Sequence, residues 1–405
     1  MLERLLPARL GRDFRWLFAA SSATNLGDGV LLAAGPLLVA SLTRDPLAIS
    51  LAVFAQRVPW LVFGLLAGTV VDRVDRRLLV IAADVLRALV LAALAIFALT
   101  DAVSLAVIYA VFFALGTAET FADNAASTLT VAVVPRDDLG VANARIFGSA
   151  MVTNQMIGPP VGAALFALAS WSAFGAGAVL ALLGAVLVSR MAVPAPERPE
   201  DQASVWQQTR AGAAWLWRHP PVRTLALMIT IFNVTFGAVF GVYVLYVQDQ
   251  LGVGDVGFGV LLTVLALGGV AGAALYERLE ARFTYAALLR TGLALETSTH
   301  AILALTHSFT LACFVFFAFG VHATVWGTTS TTVRQRAVPD DMLGRVTSVY
   351  MLGSLGGLAI GTLIGGWVAG QWGVLSAFWF AFGGSLVALA FLWGPMSQVA
   401  HAAEG

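Results

Sequence analysis

Twelve apolar runs, each long enough to cross a bilayer, follow one another along the chain. They lie at 14–41, 46–71, 77–99, 103–134, 141–169, 172–193, 221–248, 255–277, 284–306, 308–335, 343–370 and 373–394. A spanning helix needs roughly 20 predominantly apolar residues, and few other folds tolerate such a series. Only 11% of residues are charged, against about 25% in soluble domains. The chain therefore reads as an all-α, multi-pass membrane protein of twelve transmembrane helices. The run beginning near Trp16 is too long for the apolar core of a signal peptide, so it reads as a retained first span.

Arginines orient the spans. The loops after spans 2, 4, 6, 8 and 10 hold Arg73, Arg76, Arg77, Arg136, Arg198, Arg210, Arg218, Arg278, Arg282, Arg334 and Arg336, whereas the opposite side holds Arg44 alone. The positive-inside rule then puts both termini in the cytoplasm. Every basic residue is arginine and none is lysine, which suggests a GC-rich bacterial genome and so a bacterial cytoplasmic (inner) membrane. The net charge is zero, and no nucleic-acid partner is expected. Cys313 is the only cysteine, which excludes disulfides within the chain and cysteine-based metal sites. No metal or cofactor is expected.

The longest polar break, 194–220, divides the chain into an N-terminal six-helix bundle (1–193), a cytoplasmic linker and a C-terminal six-helix bundle (221–405). Within the linker, "ASVWQQTRAGAAWLWR" reads as an amphipathic helix lying on the membrane interface. The two halves repeat each other at a near-constant offset. Val134-Pro135 to Gly140 matches Val338-Pro339 to Gly344, and Ile157-Gly158 with Gly162 matches Ile360-Gly361 with Gly365. Asn25 and Gly29 align with Asn233 and Gly237, and "DRVDRR" at 72–77 aligns with "ERLEAR" at 277–282. Parallel repeats of this kind belong to transporters that rock two bundles about a midplane site.

Together with "GTVVDRVDRR" at 68–77, this layout resembles the major facilitator superfamily. That superfamily's loop signature is G-x-x-x-D-R-x-G-R-R/K, met here by Gly68, Asp72, Arg73, Arg76 and Arg77, with Asp75 in place of the second glycine. "TAETFADNAA", "VPRDDLGVANAR" and "IGPPVG" further resemble the bacterial branch of enterobactin exporters and macrolide efflux proteins. The resemblance implies two pseudo-symmetric bundles of the major facilitator fold. It also implies a conformational latch in which Asp72 meets the start of span 11 near Leu343–Arg345. The alternative is that the arginine-rich turn is a topology signal only. In span 5, Gly158, Pro159 and Gly162 resemble the signature of proton-exchanging exporters, with Ala163 replacing its last glycine; tight packing of a kinked helix is the other reading.

Ionisable groups inside spans are costly and usually functional. Asp28 in span 1, Arg57 in span 2, Asp84 and Arg87 in span 3, and Glu119 and Asp123 in span 4 form such a set. Asp28 and Arg57 lie at similar depth and are expected to pair. Asp84 and Arg87, three residues apart on a peripheral span, are expected to satisfy each other, and Glu296 and His300 on span 9 are given the same structural role. Low dielectric and neighbouring negative charge favour a protonated carboxyl, so Asp28, Glu119 and Asp123, with Arg57, are the proton-coupling candidates. The resemblance places spans 1, 4, 7 and 10 around the transport cavity. Its candidate lining is then Asn25, Asn124, Asn154, Phe232, Asn233, Phe236, Tyr243, His322 and Trp326, although an aromatic stripe also serves helix packing.

These features imply a proton-coupled exporter of small amphipathic molecules, such as a drug, a secondary metabolite or a siderophore, working by alternating access. A monomer suffices, with the substrate, protons and the bilayer as partners. A nutrient uptake or facilitated-diffusion porter is the alternative, and a non-transporting sensor a further one. No nucleotide loop, HExxH pair or Ser/His/Asp arrangement suggests an enzyme.

Overall fold

The computed structural model describes residues 8–71, 73–193, 205–397 and 399. Among these residues every regular element is a helix, with no β-strand. The spans are α1 (Gly11–Leu42), α2 (Pro46–Val71), α3 (Arg76–Leu99) and α4 (Leu105–Val133). Then come α5, in three pieces (Leu139–Ala150, Met151–Ile157 and Gly158–Leu168), and α6 (Ser170–Val188). The second set opens with α7, again in pieces (Pro220–Gly241, Tyr243–Leu245 and Tyr246–Gln250), followed by α8 (Asp255–Glu280) and α9 (Tyr285–Leu305). It closes with α10 (Phe309–Ala337), α11 (Asp340–Trp372) and α12 (Leu375–Leu392). Among the described residues, ten of the spans contain a helix long and apolar enough to cross a membrane by length and composition alone. The other two are α5, which is broken, and α9, which carries the polar stretch Glu296–His300. A linker helix (Val205–Arg218) joins the two sets.

Helix starts follow from side-chain caps. Ser104, Thr284 and Ser308 accept from the backbone N–H three residues on, at 3.4, 3.2 and 3.3 Å, opening α4, α9 and α10. Asp75 does the same for α3, accepting from the N–H groups of Arg77 and Leu78 at 2.9 and 3.1 Å. The residue that departs from the superfamily signature is thus the cap that starts α3. The break in α5 has an equally local cause. Pro159 and Pro160 carry no N–H, so the carbonyls of Gln155 and Met156 lose their helical partners. The stretch before them widens to a π-helix, in which the Gly158 N–H reaches back five residues to the Thr153 carbonyl. The freed Met156 carbonyl accepts from the Thr263 hydroxyl at 3.3 Å.

The chain forms two compact units. The first holds Met1–Leu42, Ala55–Gln202 and Asp255–Thr263, and the second holds Thr43–Phe54, Ala203–Gly254 and Val264–Gly405. In the first, α1 packs on α5 and α6, and α3 on α4 and α6. In the second, α7 packs on α11 and α12, and α9 on α10 and α12. The pairings repeat six spans apart, as the sequence repeat demands. The repeated glycines do the same work in both units. A Cβ at Gly158 would strike the Gly29 backbone and one at Gly162 the Val30 carbonyl; in the second unit, Gly361 and Gly365 stand in the same way against Val234 and Ala238. Each set lets two helix backbones touch, as small residues do in membranes.

The linker helix does more than lie on an interface. Gly212 sits over the Arg345 backbone at the start of α11, where a Cβ would come within 2.5 Å of the carbonyl oxygen. Leu216 is buried with Val222, Val338 and Val346. The opposite side leaves Trp206 and Trp217 72% and 62% exposed. The helix is therefore a docked part of the second unit, with an aromatic outer face.

Candidate functional site

The polar interior of the first unit is organised by one guanidinium. Arg87 on α3 donates to Asp84 one turn earlier at 3.2 Å and, through its other nitrogen, to Asp28 on α1. Asp84 and Arg87 are buried, while the Asp28 side chain remains 23% exposed. Two carboxylates thus share one cation inside the unit. Gly184 on α6 makes room for them: a Cβ there would meet Thr24 at 2.5 Å and the Asp84 carboxylate at 3.0 Å. A small cavity of about 40 Å³ lies beside the cluster, lined by Ser21, Thr24, Asn25, Asp84, Arg87 and Asp123.

The expected Asp28–Arg57 pair is not formed. Arg87 takes Asp28 instead, so the α3 pair is a bridge to α1 and not a self-contained couple. Arg57 forms no ion pair with any acid among the described residues. Gly116 lets the backbones of α4 and α2 touch, because a Cβ there would fall on the Gln56 carbonyl of α2. Glu119 and Asp123, one turn apart on α4, reach no arginine at ion-pair distance among the described residues. Asp123 is exposed at the rim of the small cavity, whereas Glu119 is half-buried. Asn25 and Asn124 tie their amides to the carbonyls of Ser21 and Thr120 at 2.8 and 2.7 Å, leaving their amide oxygens free to accept. Asn154 is half-buried, with its carbonyl against Gly29.

In the second unit the aromatic stripe is packed across α7 and α10. Phe232 stacks on Trp326 at 5.8 Å between centroids, and Phe236 on Phe319 at 5.5 Å. Phe232, Asn233 and Phe236 stay half-buried, but Tyr243, His322 and Trp326 lie inside the unit, 3%, 5% and 3% exposed. Asn233 donates to the Ile229 carbonyl at 2.8 Å and to Ser354 at 3.2 Å, joining α7 to α11. Glu296 on α9 accepts from Thr235 on α7 at 3.1 Å, and His300 stands 3.6 Å from it. Thr235 and Ser354 escaped sequence reasoning, since neither hydroxyl stands out in an apolar run.

Of the turn at 68–77, Asp72 lies outside the described residues. Arg77 donates to the Val188 carbonyl at 3.2 Å and to that of Ser189, clasping the end of α6, while Arg73 is exposed. Gly68 has open space around it, with nothing within 4 Å of a Cβ built there.

Twelve spans in two repeated sets, with ionisable groups gathered inside one of them, define a transporter of the major facilitator superfamily and not an enzyme. Within it, the chain belongs to the transmembrane secretion effector family, whose model matches residues 6–402. It is similar to the multidrug efflux pump Tap of Mycolicibacterium fortuitum, 28% identical over 372 residues, covering 86% of this chain and 88% of that protein. Solved structures share the fold at low identity. The nucleoside transporter NupG matches with a TM-score of 0.77 at 13% identity, over 96% of this chain and 100% of that one. A bacterial homologue of the human lysosomal transporter Spinster matches with a TM-score of 0.74 at 14% identity, over 96% of both chains.

Proposed function

We propose that this transporter is a proton-coupled exporter of small amphipathic molecules, acting as a monomer in a bacterial inner membrane with both termini cytoplasmic. The observation that carries the proposal is the acid-rich interior of the first unit, in a chain similar over most of its length to a multidrug efflux pump. Asp28, Asp84 and Glu119 lie in that interior with Arg57 and Arg87, and Asp123 borders it one turn further along α4. Arg87 answers Asp28 and Asp84, and Arg57 is the second cation of the set. Asp123 is exposed and forms no ion pair among the described residues, the placement a proton carrier needs.

In this reading Asp123 and Glu119 exchange protons, and Asp28 reports their state to α3 through Arg87. Phe232, Asn233 and Phe236, with Asn25, Asn124 and Asn154, offer apolar surface and scattered hydrogen-bonding groups, which suits an amphipathic ligand. The 1–193 and 221–405 halves are the moving bodies, with 194–220 as their connection, and Asp72 acts as the latch that the loop signature implies. Gly158, Pro159 and Gly162 keep their antiporter association as part of the proposal. The direction is tested in everted membrane vesicles incubated with a fluorescent amphipathic cation in the medium. Export predicts respiration-driven accumulation that a protonophore abolishes; accumulation confined to right-side-out vesicles would instead make the protein an uptake porter.

A further inference from the structure

The interior of the second unit contains an acid that the transport reading does not use. Glu296 is fully buried on α9, with Gly292 one turn before it and His300 one turn after it. Its Oε1 stands 3.1 Å from the Thr235 hydroxyl of α7 and 3.6 Å from His300 Nε2. Its Oε2 has no hydrogen-bond partner among the described residues, and neither has either ring nitrogen of His300.

No arginine answers this carboxyl. On α9 itself, Arg290 is engaged with the Trp393 carbonyl at 3.0 and 2.6 Å. The charged residues of α7 are Arg223 and Asp249, each roughly three turns or more from Thr235. On α10, His322 packs against Gly292, and Arg334 and Arg336 follow only roughly three turns later. Gly384 of α12 lies against Thr235, and α12 carries no ionisable residue. His300 is therefore the one counter-ion within reach, and 3.6 Å is too long for a hydrogen bond. A buried carboxylate left in that state is far more costly than a neutral acid in the same place.

A count of hydrogens at Thr235 points the same way. Three oxygens surround its hydroxyl: the carbonyls of Phe232 and Ile231 at 2.9 and 3.2 Å, and Glu296 Oε1. The hydroxyl has one hydrogen to give and two lone pairs to accept with. Given to the Phe232 carbonyl, the nearest of the three, that hydrogen leaves the Thr235 oxygen facing Glu296 as an acceptor. A carboxylate only accepts and cannot complete this bond, whereas a carboxylic acid can.

We propose that Glu296 is a neutral carboxylic acid whose O–H donates to the Thr235 hydroxyl, making it a positioning residue that fixes α7 against α9. Thr235 follows Phe232 by three residues and adjoins Phe236, so the bond sets where the aromatic stripe stands. The proton is a fixed one, separate from the exchange assigned to Asp123 and Glu119. The bond depends on neither the direction of transport nor its coupling.

The test begins with infrared difference spectroscopy of the purified full-length protein in phosphatidylcholine nanodiscs at neutral pH. Wild type minus Glu296→Gln should show the C=O stretch of a protonated carboxyl. The band should shift in Thr235→Val, which removes the acceptor, and persist in His300→Phe. Transport of a fluorescent amphipathic cation in proteoliposomes then reads the positioning. Glu296→Gln keeps a neutral donor in place and should retain the wild-type KM. Glu296→Leu should raise KM about five-fold, the factor that one net hydrogen bond carries. A wild type without the band, or a band seen only once His300 is replaced, would reveal an ionised Glu296 and overturn the proposal. So would a Gln variant as impaired as the Leu one, or a Leu variant with the wild-type KM.

Discussion

Arg87 is the residue on which the interior of the first unit turns. Removing a cation shared by buried carboxylates leaves charges without compensation, a loss of about 3–5 kcal/mol in general. Arg87→Met should therefore lower the detergent melting temperature sharply, whereas Arg57→Met, whose residue makes no ion pair among the described residues, should lower it less. If the charges serve transport as well as folding, the triple change Arg87→Met, Asp28→Asn and Asp84→Asn should recover stability but not activity. Full activity in that triple variant would reduce the cluster to a structural device. The sequence showed every member of this set, because charges are conspicuous in apolar runs. It did not show the pairing. Similar depth on adjacent spans suggested Arg57 for Asp28, but depth does not say which way a side chain points. Arg87 reaches α1 because Gly184 clears the space behind Asp84, a detail that needs three helices at once. Asp75 was legible only as a departure from a signature. Its role as a cap follows from two backbone N–H groups, and Asp75→Ala should cost about 1 kcal/mol of stability without changing substrate range.

Helix ends were the easiest elements to read. The expected 46–71 coincides with α2, and 77–99 falls within one residue of α3, since apolar runs bounded by Arg, Pro and capping residues leave little choice. The double proline of α5 announced a break, and the break is the π-helical stretch Met151–Ile157. The linker helix was legible as an amphipathic helix but not as a docked one. Its Gly212 reads in sequence as a weak helix former, and only the Arg345 backbone lying against it gives the reason. Gly212→Leu should therefore undock the helix and expose Leu216 and Trp215 to proteolysis. Trp206→Ala, on the open side, should leave the protease pattern unchanged. At the α1–α5 contact, Gly162→Val should cost about 1–3 kcal/mol by overpacking. The same change at Gly365 should behave alike, because the repeat gives it the same kind of neighbour. A harmless Gly162→Val with a damaging Gly365→Val would break that equivalence.

At the scale of the whole molecule, the twelve apolar runs, the repeat and the motif at 68–77 together carried the resemblance to the superfamily. Export, coupling and substrate class stand apart from this, because one transporter fold serves many ligands and both directions. The latch role of Asp72 belongs here as well. Asp72→Asn should leave folding intact and slow transport; an unaltered rate would remove the latch. The central claim, proton-coupled export, is tested most directly in proteoliposomes of the purified protein, with proton flux and movement of a fluorescent amphipathic substrate recorded together under an imposed pH gradient. The account predicts substrate movement opposite to the proton flow, lost in Asp123→Asn. Substrate movement indifferent to the gradient, and the same in that variant, would contradict it.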